Sequence, residues 1–146
     1  MDDPFDLQRF VEAQAPHVEA VAAELRAGRK RTHWIWFVFP QLHGLGRSEM
    51  ARRFGLRSRA EARAYLAHPT LGPRLREGAA LVLAVDGRSA HEIFGAPDDL
   101  KLRSCLTLFR EVDGVDGVDG VFGRALQRYF GGRPDPATLE LLASPR

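Results

Sequence analysis

Residues 28–48 read GRKRTHWIWFVFPQLHGLGRS. The six positions 34–39 hold both tryptophans of the chain together with Phe37 and Phe39, and they form its most aromatic apolar run. Arg29, Lys30, Arg31 and His33 precede the run, Pro40 stops it, and Gln41, His43, Gly44, Gly46 and Ser48 follow. A short run apolar on every face suits a helix buried all round, and its composition also suits a core strand. A strand needs a partner, however, and the chain offers no convincing period-2 alternation and no Asn-Gly hairpin turn. The reading adopted is a central buried helical segment capped by Thr32.

The flanking sequence is read as a series of short helices. Asp3 caps a first helix, with Pro4 at its first position and Leu7, Phe10, Val11 and Gln14 on one face. Pro16 restarts a second helix with a buried stripe of Val18, Val21, Ala22 and Leu25, stopped by Gly28. Ser48 and Gly55 bracket another. Ser58 with Glu61, and Ser89 with Glu92, have capping-box spacing. Between them lies an apolar segment from Leu71 to Val85, with Gly78 as a soft spot. Pro97, Asp98 and Asp99 open a helix with Leu102, Cys105, Leu106 and Phe109 inside. Phe122, Leu126, Tyr129 and Phe130 mark the next, and Asp135-Pro136 starts the last. The expectation is an all-α fold, one domain over residues 1–146, with eight or nine short helices around the aromatic segment. Residues 112–121, VDGVDGVDGV, read as a surface loop grown by replication slippage, with weak calcium binding as the other reading. The acid spacing is wrong for an EF-hand.

The chain has 146 residues, 45% hydrophobic and 27% charged, which is the composition of an ordinary globular protein. No apolar run reaches the length of a membrane span, and the acidic start MDDPFDLQRF has no signal-peptide core. The lone Cys105 excludes an internal disulfide and a multi-thiolate zinc site. A cytoplasmic protein is expected, with no cofactor, no metal and no membrane partner. The net charge is only +2, with Arg29-Lys30-Arg31 and a looser Arg52, Arg53, Arg57, Arg59 set as its basic clusters. Nucleic acid is therefore not the expected partner.

Arg31, His33 and Gln41 are polar residues set against the most apolar run, and Lys101 is one of only two lysines. These four, with Trp34 or Trp36 as an aromatic wall, are the expected ligand-binding residues. Arg forks onto carboxylate or phosphate and aromatic faces stack, so the expected ligand is small, anionic and planar, nucleotide-like. His33 and His68 are the candidate general bases, because imidazole titrates near neutrality. The plainer readings are that the segment is only the core helix and that His68 interacts with the last carbonyls and the dipole of the helix it ends. Ser104 lies one turn beyond Lys101 and Cys105 on the apolar stripe; neither carries a nucleophile signature. The alternative function is a non-enzymatic interaction module using a basic helical face.

The stretches DPFDLQRFVEAQ, GRKRTHWIWFVFPQLHGLGRS, AYLAHPTLGPRL and IFGAPDDLKLRSCLTLF resemble the bacterial family known as domain of unknown function 1810. The resemblance covers nearly the whole chain. It implies a mainly helical single domain and no established activity. Some members carry the label calpastatin, which is a misannotation: inhibitory calpastatin segments are disordered alone, whereas this composition folds.

Overall fold

The computed structural model describes residues 2–114 and 120–144. Its helices are α1 (Gln8–Gln14), α2 (Val18–Arg26), α3 (Ile35–Val38), α4 (Glu49–Phe54), α5 (Arg59–Ala67), α6 (Leu71–Leu83), α7 (Ala90–Phe94), α8 (Asp98–Val112), α9 (Val121–Phe130) and α10 (Pro136–Ala143). A 3-10 turn, Ala15–His17, joins α1 to α2 where Pro16 denies the backbone an amide donor. No strand occurs among the described residues. One parallel bridge pairs Leu42 with Leu56. The fold is all-α, and its helices share one core in which α6 and α8 pack on α9, α5 on both α6 and α8, and α2 on α6.

The local signals act as the residues suggest at several ends. The Ser48, Ser58 and Ser89 hydroxyls each accept the amide three residues on. The Ser89–Glu92 capping box closes in both directions. Gly28 adopts a φ of +69°, the left-handed conformation that ends α2. Gly72 is required by close approach, since a Cβ there would lie 2.0 Å from the Leu66 carbonyl oxygen.

Other ends differ from expectation, each for an identifiable reason. Asp3 does not cap a helix starting at Pro4. The chain makes a turn first, and the Asp3 carboxylate reaches forward to accept from the amides of Leu7 (2.8 Å) and Gln8 (3.0 Å). Glu61 does not return to the Ser58 amide. Its oxygens take the Arg57 amide and the Arg9 guanidinium instead, both at 2.9 Å. The aromatic run forms a single helical turn, and Trp34, not Thr32, stands at its N-cap. On α2 only Leu25 of the expected stripe is fully buried; Val18 is 39% exposed.

Residues 115–119 of the VDG repeat lie outside the described residues, so the loop reading concerns that segment. The first unit is anchored: Val112 closes α8 in the core, and buried Asp113 pairs with Arg76 at 3.1 Å. At the far end, Asp135 caps α10 and ties it to α8. Its carboxylate accepts from the hydroxyls of Thr138 (2.6 Å) and Ser104 (2.9 Å), while its amide donates to Thr107 Oγ1. Ser104 is thus a structural hydroxyl facing α10.

Candidate functional site

The two lysines each lie over one of the two tryptophans. Lys30 stands one turn before Trp34 in sequence and its Nζ is 4.9 Å from the Trp34 ring centroid. Lys101, in the first turn of α8, places Nζ 5.1 Å from the Trp36 centroid. One carboxylate serves both: Asp98 Oδ2 is 2.8 Å from Lys30, and Oδ1 is 3.7 Å from Lys101. Lys30 also donates to the Thr32 carbonyl at 2.6 Å, whereas the Lys101 ammonium makes no hydrogen bond among the described residues. Two ammoniums against one carboxylate leave the cluster with an excess positive charge, and Lys101 is its loosely held member.

The tryptophans differ in the same way. Trp34 is fully buried, and its indole N–H donates to Glu24 Oε1 at 3.0 Å. Glu24 also accepts from the amides of Arg31 and Thr32 and from the Thr32 hydroxyl. Burial opposes ionisation of this carboxyl, but the Thr32 hydroxyl, the two amides and the indole outweigh it and bring its pKa down to about 2. Trp36 is half-buried, and its Nε1 is buried with no partner in the protein. Buried donors are nearly always paired, so this one requires an explanation.

Trp36, Gln41 and Lys101 line one cleft with the apolar side chains of Ile35, Phe39 and Phe54. Its free volume is about 10 Å³, the space of one oxygen atom. Gly55 closes it, at a point where a Cβ would lie 2.6 Å from the His43 Cα. The Gln41 amide makes no hydrogen bond among the described residues and sits beside Gly46, whose Cβ would lie 3.4 Å from Gln41 Nε2. Three side chains that carry an indole N–H, an ammonium and an amide therefore contribute to the walls of one small space. All three can donate to an anionic oxygen.

Of the expected site residues, the structure brings Trp36, Gln41 and Lys101 together. It places Arg31 and His33 on the exposed surface; neither lines the cleft. Arg31 instead rims an open hollow with Arg29 and Lys30. Trp34 offers no face to a ligand, being sealed in the core. His68 does not turn back to the last carbonyls of α5 but caps the start of α6: its Nδ1 accepts from the amides of Thr70 (3.0 Å) and Leu71 (3.2 Å). Cys105 is fully buried, and burial pushes its thiol well up from its ordinary pKa. Among the described residues no group of three or more His, Cys, Asp or Glu is placed to hold a metal ion, and no helix is long and apolar enough to cross a membrane.

The i, i+3 spacing of Asp98 and Lys101 announces their pair on α8, but sequence reasoning missed Lys30 as the second partner of that carboxylate and Glu24 as the acceptor behind Trp34. The pairing of two lysines with two tryptophans was the available signal. It also missed a buried polar network around Gln14, whose Nε2 donates to the Phe37 carbonyl (2.6 Å) and the Tyr65 hydroxyl (3.0 Å).

Residues 4–142 match the family model described as "Protein of unknown function (DUF1810)", a span that includes, except for Asp3, all four stretches carrying the resemblance noted above. Among solved structures, the chain is similar to the conserved hypothetical protein Rv1873 from Mycobacterium tuberculosis. The identity is 56% and the TM-score 0.93, over 98% of this chain and 100% of that one. No curated protein matches.

Proposed function

The chain belongs to the DUF1810 family of proteins of unknown function, and we propose that it is a cytoplasmic protein that binds a small anion, through a carboxylate or phosphate oxygen, at the cleft of Trp36, Gln41 and Lys101. One observation carries the reading: Trp36, with its unpartnered indole N–H, and Lys101, whose ammonium forms no hydrogen bond among the described residues, line the same space. An oxygen seated there accepts from both and neutralises the excess charge that Asp98 leaves. The expectation of a planar, nucleotide-like ligand is narrowed, because the Trp34 ring is buried and Lys101 lies over the Trp36 ring. The reading is one of binding. His68 has its Nδ1 lone pair engaged, and His33 is not at the cleft.

The test is thermal unfolding in acetate and in phosphate against chloride at constant ionic strength. Bound anion raises stability by mass action, about 2.7 kcal/mol at a hundred times the dissociation constant. Wild type should gain stability in acetate or phosphate, while Lys101→Ala and Trp36→Phe should fold but lose the gain. A wild type indifferent to both anions, or a Lys101→Ala variant that responds equally, refutes the reading.

A second reading has its own observation. Six arginines, Arg47, Arg52, Arg53, Arg57, Arg59 and Arg63, surround α4 and the start of α5, and none forms an ion pair among the described residues. Such a face suits an acidic protein segment, as an interaction module would require. Binding of a glutamate-rich peptide that weakens with salt and is lost in Arg52→Glu/Arg53→Glu would support it; salt-independent binding, or none, would exclude it.

A further inference from the structure

The exposed part of the α2 stripe is one wall of a groove. Val18, Val21 and Ala22, with the buried Leu25, line it together with Leu81 of α6 and Val38 of α3. The free volume is about 80 Å³. At roughly 10–15 Å³ per water-sized position, that is room for an aliphatic group of about five heavy atoms. Apolar residues that fold into a groove rather than a filled core leave area uncovered, and a matching apolar group gains by covering it.

The charges at the rim specify what carries that group. Arg74 and Glu77 both line the groove, one helical turn apart on α6. They do not pair with each other, and neither forms an ion pair among the described residues. Arg74 makes one hydrogen bond, from Nη1 to Gln14 Oε1 at 3.2 Å. Gln14 is itself fixed, since its Nε2 is held by the Phe37 carbonyl and the Tyr65 hydroxyl, which turns its Oε1 towards Arg74. The guanidinium is therefore aimed from the core while most of its N–H groups remain available. A simple fatty acid would meet Arg74 but be repelled by Glu77. A simple amine would meet Glu77 but be repelled by Arg74. An aliphatic α-amino acid satisfies all three features: carboxylate on Arg74, ammonium on Glu77, side chain along Val18, Val21 and Leu81.

We infer that this groove is a binding site for a free aliphatic α-amino acid of leucine size. The site is independent of the Trp36 cleft. Val38 and Trp36 lie on the same turn but line different hollows.

Isothermal titration of the protein with L-leucine, 4-methylpentanoate and 3-methylbutan-1-amine tests the inference. The last two carry the same side-chain shape with one charge removed. Leucine should bind saturably, and each analogue at least about tenfold more weakly, a difference of about 1.4 kcal/mol. Arg74→Gln and Glu77→Gln should each weaken leucine by a similar factor. Glu77 is exposed and Glu77→Gln should leave the circular dichroism unchanged, which keeps the test valid if Arg74→Gln disturbs Gln14. Lys101→Ala should leave leucine binding intact, which separates this inference from the anion cleft. Absence of saturable leucine binding at millimolar concentration overturns it. So does binding of 4-methylpentanoate as tight as leucine, or a Glu77→Gln variant that binds leucine unchanged.

Discussion

Trp34 and Trp36 are two residues apart, at and within one helical turn, and each lies under one of the two lysines. Around Trp34 both donor groups have acceptors: the indole reaches Glu24, and Lys30 reaches Asp98 and the Thr32 carbonyl. Around Trp36 the indole has none and Lys101 shares Asp98 only at 3.7 Å. The difference lies in what the neighbouring helix supplies. Beside Trp34, α2 contributes a carboxylate. Beside Trp36, the walls include Phe54 at the end of α4 and Gly55, which offer no side-chain acceptor. The same Lys-over-Trp pair is thus a closed brace in one place and an open donor cluster in the other.

The largest expected effect tests the closed half. Trp34→Ala should cost about 3–5 kcal/mol in urea unfolding, the range for deleting a fully buried aromatic. Trp36→Ala, from a half-buried position, should cost about 1–2 kcal/mol. Equal costs would break the comparison. Next comes the shared carboxylate. Asp98→Asn leaves Lys30, whose side chain is 5% exposed, without its counter-ion and should cost about 2–4 kcal/mol. Lys101→Ala should cost less than about 1 kcal/mol, because its ammonium forms no hydrogen bond. Lys101→Ala as damaging as Asp98→Asn would show that Lys101 is a structural partner.

Glu24 gives a smaller effect with a pH signature. Its pKa lies at about 2 in the folded protein against 4.5 ordinarily, so it contributes stability above pH 4.5 that is lost as pH falls towards 2. Discounted for its solvent contact, that contribution is about 1 kcal/mol. Glu24→Gln should lower stability at pH 7 and flatten its decline over that acid window; an unchanged acid limb would remove Glu24 from the account. Smallest of all is Trp36→Phe. Removing an unpartnered donor while keeping the ring should change stability by less than about 0.5 kcal/mol. A loss above about 1 kcal/mol would mean that the indole N–H is satisfied in the folded protein.

Where a signal is local, the sequence conveyed it. Ser48, Ser89 with Glu92, Gly28 and Asp135 act within a few residues, and their geometry follows from their own spacing. Thr32 and His68 have equally local signatures but were captured by tertiary partners or by the next helix: Thr32 by Glu24, His68 by the first amides of α6. The site divides the same way. Trp36, Gln41 and Lys101 were legible as polarity against the packing trend. Arg31 and His33 looked identical by that criterion. The chain that carries them runs over the surface before turning in at Trp34, so adjacency to a buried run did not bury them. Asp98 reaches Lys101 locally, but it reaches Lys30, and Glu24 reaches Trp34, from other elements, and no spacing in the chain announces those two contacts.

The indole N–H signals of a ¹H–¹⁵N spectrum test the central claim most directly, because the chain has only two tryptophans. On titration with acetate or phosphate at constant ionic strength, the Trp36 signal should move saturably. The Trp34 signal, held by Glu24, should stay in place, and Lys101→Ala should abolish the Trp36 movement. Two indole signals that remain fixed, or that drift together without saturating, would contradict the account.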